Sequence, residues 1–297
     1  MTRFGYACVS RLTGLSTNHT CQLKSASPEK LRALIDWNLR DLRGILEHNL
    51  KHGWRLFRVG SSFVPFASHP VNQVRWWEEY ADELAAVGAF VRAHDIRLMI
   101  HPGQYTILNS PDETVWHNAV AELDYSARLL DAMALNRQHK VLIHVGGVYA
   151  DKAASSRRFV DRVQQLPAHI RVRLSIEHDE HSYHLQDVLT IGQQAGLPVV
   201  YDNLHHVLNP SSRSLDELLP EVFSTWQPED GVPEIHFSSQ AVRARPGTHA
   251  EYADPVEFAS VVEQCTKVGH FDLMLEAKGK DAALHQVLAG KIQVTDR

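Results

Sequence analysis

Residues 98–105 read Leu-Met-Ile-His-Pro-Gly-Gln-Tyr. Three apolar residues run into a histidine, a Pro-Gly turn follows, and a glutamine and a tyrosine come next. A buried strand ending on a metal-type ligand has this form. The stretch alone also fits a buried helix segment, so repetition along the chain decides. Apolar runs end the same way five more times: VLIHVGG at His144, LSIEHD at Glu177, VVYDNLHH at Asp202, EIHFSS at His236 and LMLEAKG at Glu276.

Working outward, apolar runs alternate with amphipathic segments over the whole chain. Strands are expected at 3–9, 55–60, 97–101, 140–145, 171–177, 198–202, 233–237 and 271–276. Helices are expected at 28–51, 77–93, 113–134, 153–165, 184–195, 215–223, 255–268 and 281–288. Ser27 is a natural N-cap before Pro28, and Gly53 lies just past that helix. Eight such units with near-continuous apolar strands predict a parallel (β/α)8 TIM barrel in a single domain. An open doubly wound sheet would need its site fed by a few adjacent strands, which six ligand-bearing strand ends do not suit.

The chain has 297 residues, 44% of them hydrophobic, enough for a large core. No apolar run approaches the roughly 20 residues of a membrane span. The N-terminus has no signal-peptide pattern, and three widely spaced cysteines (Cys8, Cys21, Cys265) fit a reducing cytoplasm and argue against thiolate zinc. The net charge of −5 argues mildly against nucleic acid, but a carboxylate-rich metal centre contributes charge that bound cations offset.

In a barrel of this kind the carboxyl ends of all strands ring one mouth. His101, His144, Glu177, Asp202, His236 and Glu276 therefore converge there. The loops add His69, His205 and His249. Nine such ligands exceed one metal and imply two or three divalent ions, with Mn²⁺ or Zn²⁺ suited to mixed imidazole and carboxylate. Strand parity places Met99, Leu142, Ser175, Val200, Glu234 and Met274 one step below, inside the barrel. Glu234 is the exception there, because a buried carboxylate needs a metal, a cation or a proton. Lys152, Arg157, Arg158, Arg243, Arg245, Lys278 and Lys280 follow strands four, seven and eight, on the rim where phosphate contacts are made. Gln104 and Tyr105 sit at the loop tip, where an amide and a ring can stack on bases or wedge into a duplex.

The segments FGYACVS, FRVGSSFVPFASHP, HPGQYTILNSP, HVGGVYADK, IEHDE, VVYDNLHHVLNP, IHFSSQ, RPGTHA and EAKGK, in order from Phe4 to Lys280, resemble the UV damage endonuclease family. The resemblance implies a TIM barrel with a divalent-metal cluster, usually manganese. It implies nicking of the DNA backbone immediately 5′ to a UV photoproduct, leaving a 3′-hydroxyl. It gives metal roles to His69, His101, His144, Glu177, Asp202, His205, His236, His249 and Glu276. By the same resemblance Glu177 would bridge a His101/His144 site and an Asp202/His236/Glu276 site, and His205 and His249 would hold a third ion. Gln104 and Tyr105 match lesion-probing residues, and Tyr6 matches a tyrosine lining the lesion pocket. The chain departs from the family in two places. Ser10 stands where members often have asparagine, and Glu234 stands where members can carry a lysine modified to a carbamate. Glu234 is expected to face the cluster.

The expected function is thus a DNA repair endonuclease, with Glu177, Glu276 and Glu234 as its catalytic carboxylates and damaged double-stranded DNA as its partner. The chain is expected to work as a cytoplasmic, nucleoid-associated monomer without a membrane. Two alternatives remain: a metal-dependent sugar isomerase or epimerase of the same barrel class, and a damaged-DNA-binding protein that does not cut.

Overall fold

The structure is a computed structural model that describes residues 2–292. Eight parallel strands close into a barrel in sequence order: β1 (Phe4–Ala7), β2 (Leu56–Val59), β3 (Arg97–Ile100), β4 (Val141–His144), β5 (Leu174–Glu177), β6 (Val199–Asp202), β7 (Glu234–Phe237) and β8 (Asp272–Leu275). β8 pairs back onto β1, with Gly5 opposite Met274. The helices are α1 (Pro28–Lys51), α2 (Trp76–Glu79), α3 (Ala81–Ala93), α4 (Glu113–Ala132), α5 (Lys152–Gln165), α6 (Ala168–Arg171), α7 (Leu185–Ala195), α8 (Asn203–Leu208), α9 (Leu215–Ser224), α10 (Pro255–Val268) and α11 (Lys280–Ile292). The single-domain (β/α)8 barrel read from the apolar runs is what forms. No helix among the described residues is long and apolar enough to cross a membrane.

Local rules account for most boundaries. Ser27 caps α1 by accepting a hydrogen bond from the Lys30 N–H at 3.2 Å, with Pro28 at the first helical position. The helix expected over 77–93 divides at Tyr80, whose backbone leaves the helical region. The short helices α6 and α8 were not expected. α8 exists because Asp202, at the end of β6, accepts from the His205 N–H at 2.8 Å.

Side chains alternate across each strand, so one face looks into the barrel and the other packs under the helices. Outward residues such as Phe57, Leu98, Ile143, Ile176, Ile235 and Leu273 belong to the main core between sheet and helices. Inward residues form three layers. The bottom layer is charged: Arg3, Arg97, Lys140, Arg173 and Asp272. Arg97 is fully buried and donates to Asp272 (2.9 Å), to the carbonyls of Gln138 and Val232 (both 2.8 Å) and to that of Asp230 (3.2 Å). Lys140 donates to Asp230 at 2.6 Å, and burial lowers its pKa to about 8.

The middle layer is Gly5, Leu56, Met99, Leu142, Ser175, Val200, Glu234 and Met274. Its apolar members form two small clusters separate from the main core. Gly5 belongs here because a Cβ would lie 2.1 Å from the Leu56 carbonyl oxygen. The bottom is therefore sealed by a satisfied ionic plug and the middle by packing, which leaves the top layer as the barrel's working end.

Candidate metal centre

The top inward layer runs Ala7, Arg58, His101, His144, Glu177, Asp202, His236 and Glu276, one from each strand end in turn. Its six ligand-type residues meet. His101, His144 and Glu177 form one group; Glu177, Asp202 and His205 a second; Asp202, His236 and Glu276 a third. Within each group the ligand atoms lie within 4.8 Å of one another. Glu177 and Asp202 each belong to two groups, so one buried carboxylate can serve two ions.

The distances show who faces whom. Nε2 of His101 and of His144 lie 3.6 and 3.7 Å from Glu177 Oε2. Nδ1 of His236 lies 2.9 Å from Glu177 Oε1 and 3.3 Å from Glu276 Oε1. Glu177 and Asp202 are buried, as is His236. Burial pushes the Glu177 carboxyl up, but His236, His101 and His144 together hold it well below the usual range. Burial raises Asp202, opposed by His205. Burial would lower His205, yet Asp202, Glu177, Glu180 and Glu276 bring it up to about 9. This chemistry fits divalent cations. Buried carboxylates and imidazoles converge, and among the described residues Asp202 Oδ2 has no hydrogen-bond partner, while Glu177 Oε1 and His236 Nδ1 approach each other without forming a well-directed hydrogen bond.

His205 is oriented by the His178 carbonyl, which its Nδ1 contacts at 2.9 Å. His178 itself is structural, since its Nε2 accepts from the Asp202 N–H at 3.0 Å. His249 closes a small hairpin in the β7–α10 loop, where Gln240 bridges to it, and its Nδ1 contacts the Glu276 carbonyl at 2.6 Å. It stands beside Glu276 without joining one of the three groups.

Four of the residues singled out in the sequence sit as follows. His69 is exposed in the loop after β2, and its Nδ1 accepts from the Val71 N–H at 3.0 Å. Among the described residues it joins none of the three groups. Tyr6 does not line an open pocket. Strand parity points it outward, where it is fully buried against Trp54 and Phe57 and donates to Asn49 of α1 at 2.7 Å. Glu234 faces the centre as expected, but it stands behind His236: its Oε1 is 3.3 Å from His236 Nε2, on the ring edge opposite Glu177. Ser10 is buried and donates to Asp281, so it braces the first loop against α11.

The expected DNA-contact residues divide into committed and exposed ones. Lys152 pairs with Asp187 and lies over the Tyr183 ring. Arg158 donates to the Asn109 carbonyl at 2.7 Å and to Ser155, bracing the β3–α4 loop. Arg157, Arg243, Arg245 and Lys278 are exposed, and Lys280 is half-buried beside Cys8, Arg58 and Glu276. Gln104 and Tyr105 stand at the loop tip, with Tyr105 66% exposed. The Tyr105 ring lies across Gly103, where a Cβ would come 2.4 Å from Cε1. Glycine therefore sets the ring's position.

Two cavities flank this loop. One, of about 210 Å³, lies between Gln104 and the 179–182 segment. The other, of about 310 Å³, is lined by Cys8, Asn18, Arg58, Ser61, His101, Gln104 and His144. A larger cavity of about 820 Å³ lies outside the barrel between α9 and α10, remote from these groups. Sequence reasoning missed Arg58 and also Glu180, whose Oε2 lies 3.7 Å from His205 Nε2. Parity along Leu56 and Arg58 was the signal for the arginine.

The UV-endonuclease UvdE family model matches residues 2–296. The UV DNA damage endonuclease of Clostridium perfringens (strain 13 / Type A) is 36% identical over 283 residues, 94% of this chain and 68% of that protein. That of Bacillus cereus (strain Q1) is 33% identical over 295 residues, covering 96% and 93%. The crystal structure of SacUVDE has 36% identity and a TM-score of 0.92, over 99% of each chain. D-psicose 3-epimerase from Clostridium cellulolyticum H10 shares the fold alone, at 17% identity and a TM-score of 0.53 over 80% of each chain.

Proposed function

The chain belongs to the UV-endonuclease UvdE family, a family of DNA repair endonucleases, and we propose that it nicks duplex DNA immediately 5′ to UV photoproducts. The observation that supports this reading is that three ligand groups sharing Glu177 and Asp202 meet at the strand ends, with a cavity that His101 and His144 line together with Gln104 of the exposed loop tip. His101, His144, Glu177, Asp202, His205, His236 and Glu276 would hold two or three divalent ions, Mn²⁺ before Zn²⁺. Such ions supply polarisation of the phosphate, activation of a water and stabilisation of the leaving 3′-oxygen.

The chain's own residues do the rest. Glu177 and Asp202, shared between groups, fix the spacing of the site. Glu234 holds the His236 ring through Nε2 and leaves Nδ1 directed at Glu177 and Glu276. Tyr105 and Gln104 probe the stack. Extrusion is cheaper at damaged, poorly stacked nucleotides, and this selects the lesion. Arg157, Arg243, Arg245 and Lys278 contact the backbone around the mouth. Their exposure on an open rim favours a duplex over the closed pocket a sugar isomerase needs. The protein acts as a cytoplasmic monomer on nucleoid DNA. Metal analysis with a nicking assay on UV-irradiated and intact duplex tests the reading. Bound divalent ions and damage-dependent nicks are expected; metal binding with no cleavage of either duplex would refute it.

A further inference from the structure

Of the eight inward positions at the mouth, six carry ligands and Ala7 is small. The eighth is a cation. Arg58 rises from β2 into the ligand layer, its side chain 14% exposed, and donates through Nη1 to Glu276 Oε1. A guanidinium has five N–H donors. Among the described residues its side chain makes no other hydrogen bond. The rest of the group faces the cavity of about 310 Å³ that it lines with Asn18, Ser61, His101, Gln104 and His144. That cavity lies between the reading loop and the ligand groups.

Charge shows what Arg58 must meet there. Glu177, Asp202, Glu234, Glu276 and, beside His205, Glu180 supply the carboxylates around the centre. Bound divalent ions would take up Glu276, the carboxylate that Arg58 now pairs with, which would leave Arg58 a cation without its own anion in a poorly solvated corner that also holds Lys280. A buried positive charge beside bound cations needs an anion, and guanidinium matches phosphate oxygens in bidentate geometry. Resting on the endonuclease reading above, we propose that Arg58 is a phosphate ligand. Its bond to Glu276 holds that carboxylate in place before ions bind, and afterwards its guanidinium takes the oxygens of a DNA phosphate next to the scissile bond.

The test compares wild type with Arg58→Gln and Arg58→Lys in two assays. Mn²⁺ titration followed by electron paramagnetic resonance reads the centre. Equilibrium binding to a photoproduct duplex over a range of salt, with Ca²⁺ supplied to slow cleavage, reads the contact. The Gln variant is expected to keep the Mn²⁺ stoichiometry and, at saturating metal, to bind the duplex about 10- to 100-fold more weakly, the loss of a charged hydrogen-bond pair. Its log–log salt slope should be shallower by about 0.9, one phosphate contact. The Lys variant should recover the slope and only part of the affinity. Wild-type affinity and slope in Arg58→Gln would overturn the proposal. So would a binding deficit that disappears at saturating metal, because Arg58 would then only position Glu276. Wild-type protein that binds no duplex under any metal condition overturns the endonuclease reading and this proposal together.

Discussion

Replacing Glu234 separates an orienting carboxylate from a direct metal ligand. Glu234 is the charged member of an otherwise apolar or small middle layer and is fully buried. Among the described residues its one partner is His236 Nε2 at 3.3 Å, while His236 Nδ1 points the other way, 2.9 Å from Glu177. One imidazole cannot present Nδ1 to an ion steadily unless its far nitrogen is held. Losing a partner of this kind costs about 10- to 100-fold in metal affinity, or about 1.4–2.7 kcal/mol. Glu234→Leu removes the acceptor at similar volume and should show that full loss. Glu234→Gln keeps an uncharged acceptor at the same reach and should lose less than about tenfold. Isothermal titration with Mn²⁺ at neutral pH gives affinity and stoichiometry together, and circular dichroism confirms the fold. The expected result is weaker binding at unchanged stoichiometry. Loss of one whole ion would make Glu234 a ligand, and equal affinity in all three proteins would remove it from the centre. Either result refutes the orienting role.

Three further outcomes follow from the site and the barrel floor. Glu177→Gln should abolish nicking while duplex binding, read by mobility shift, largely survives; wild-type cleavage would remove Glu177 from the shared position. Tyr105→Ala should reduce the preference for damaged over intact duplex without changing Mn²⁺ uptake. Gly103→Ala should do part of the same, since its Cβ would displace the ring that lies across it; an unchanged preference in both would deny the ring a probing role. His139 gives a pH signature. It is buried, its Nδ1 accepts from the Leu98 N–H at 2.9 Å, and burial together with Arg97 and Arg173 lowers its pKa to about 3. The unfolded chain, with a histidine pKa near 6.5, binds the proton more readily, so this stability is complete above about pH 6.5 and lost as pH falls. At pH 5 the loss is about 2 kcal/mol. His139→Asn keeps an acceptor and should lack this increment in urea melts at pH 7 and pH 5; parallel losses in both proteins would contradict the assignment.

The barrel and the ligand ring were legible for one reason: a two-residue repeat in a closed parallel barrel leaves strand ends nowhere else to point. Asp202 shows the same local economy, capping α8 with one oxygen and offering the other to the centre. What sequence did not reveal follows from where attention fell. Arg58 obeys the same parity but is not a ligand type, so a search for ligands passed over it. Tyr6 was placed at a pocket by resemblance, although parity with Gly5 and Ala7 sends it outward. The commitments of Lys152 and Arg158 depend on tertiary partners, Asp187 and Asn109, that no local pattern announces. Glu234 was recognisable as an anomaly, but its pairing with His236 Nε2 required the ring orientation.

The central claim is that the centre cuts DNA beside damage, and mapping the nick tests it most directly. Mn²⁺-loaded protein is incubated with an end-labelled duplex carrying one UV photoproduct and with the undamaged duplex, and the ends are read at nucleotide resolution. The account predicts one metal-dependent nick immediately 5′ to the lesion with a 3′-hydroxyl end, and none in the undamaged strand. A nick elsewhere, equal cutting of both duplexes, or cutting that persists after metal removal would contradict it.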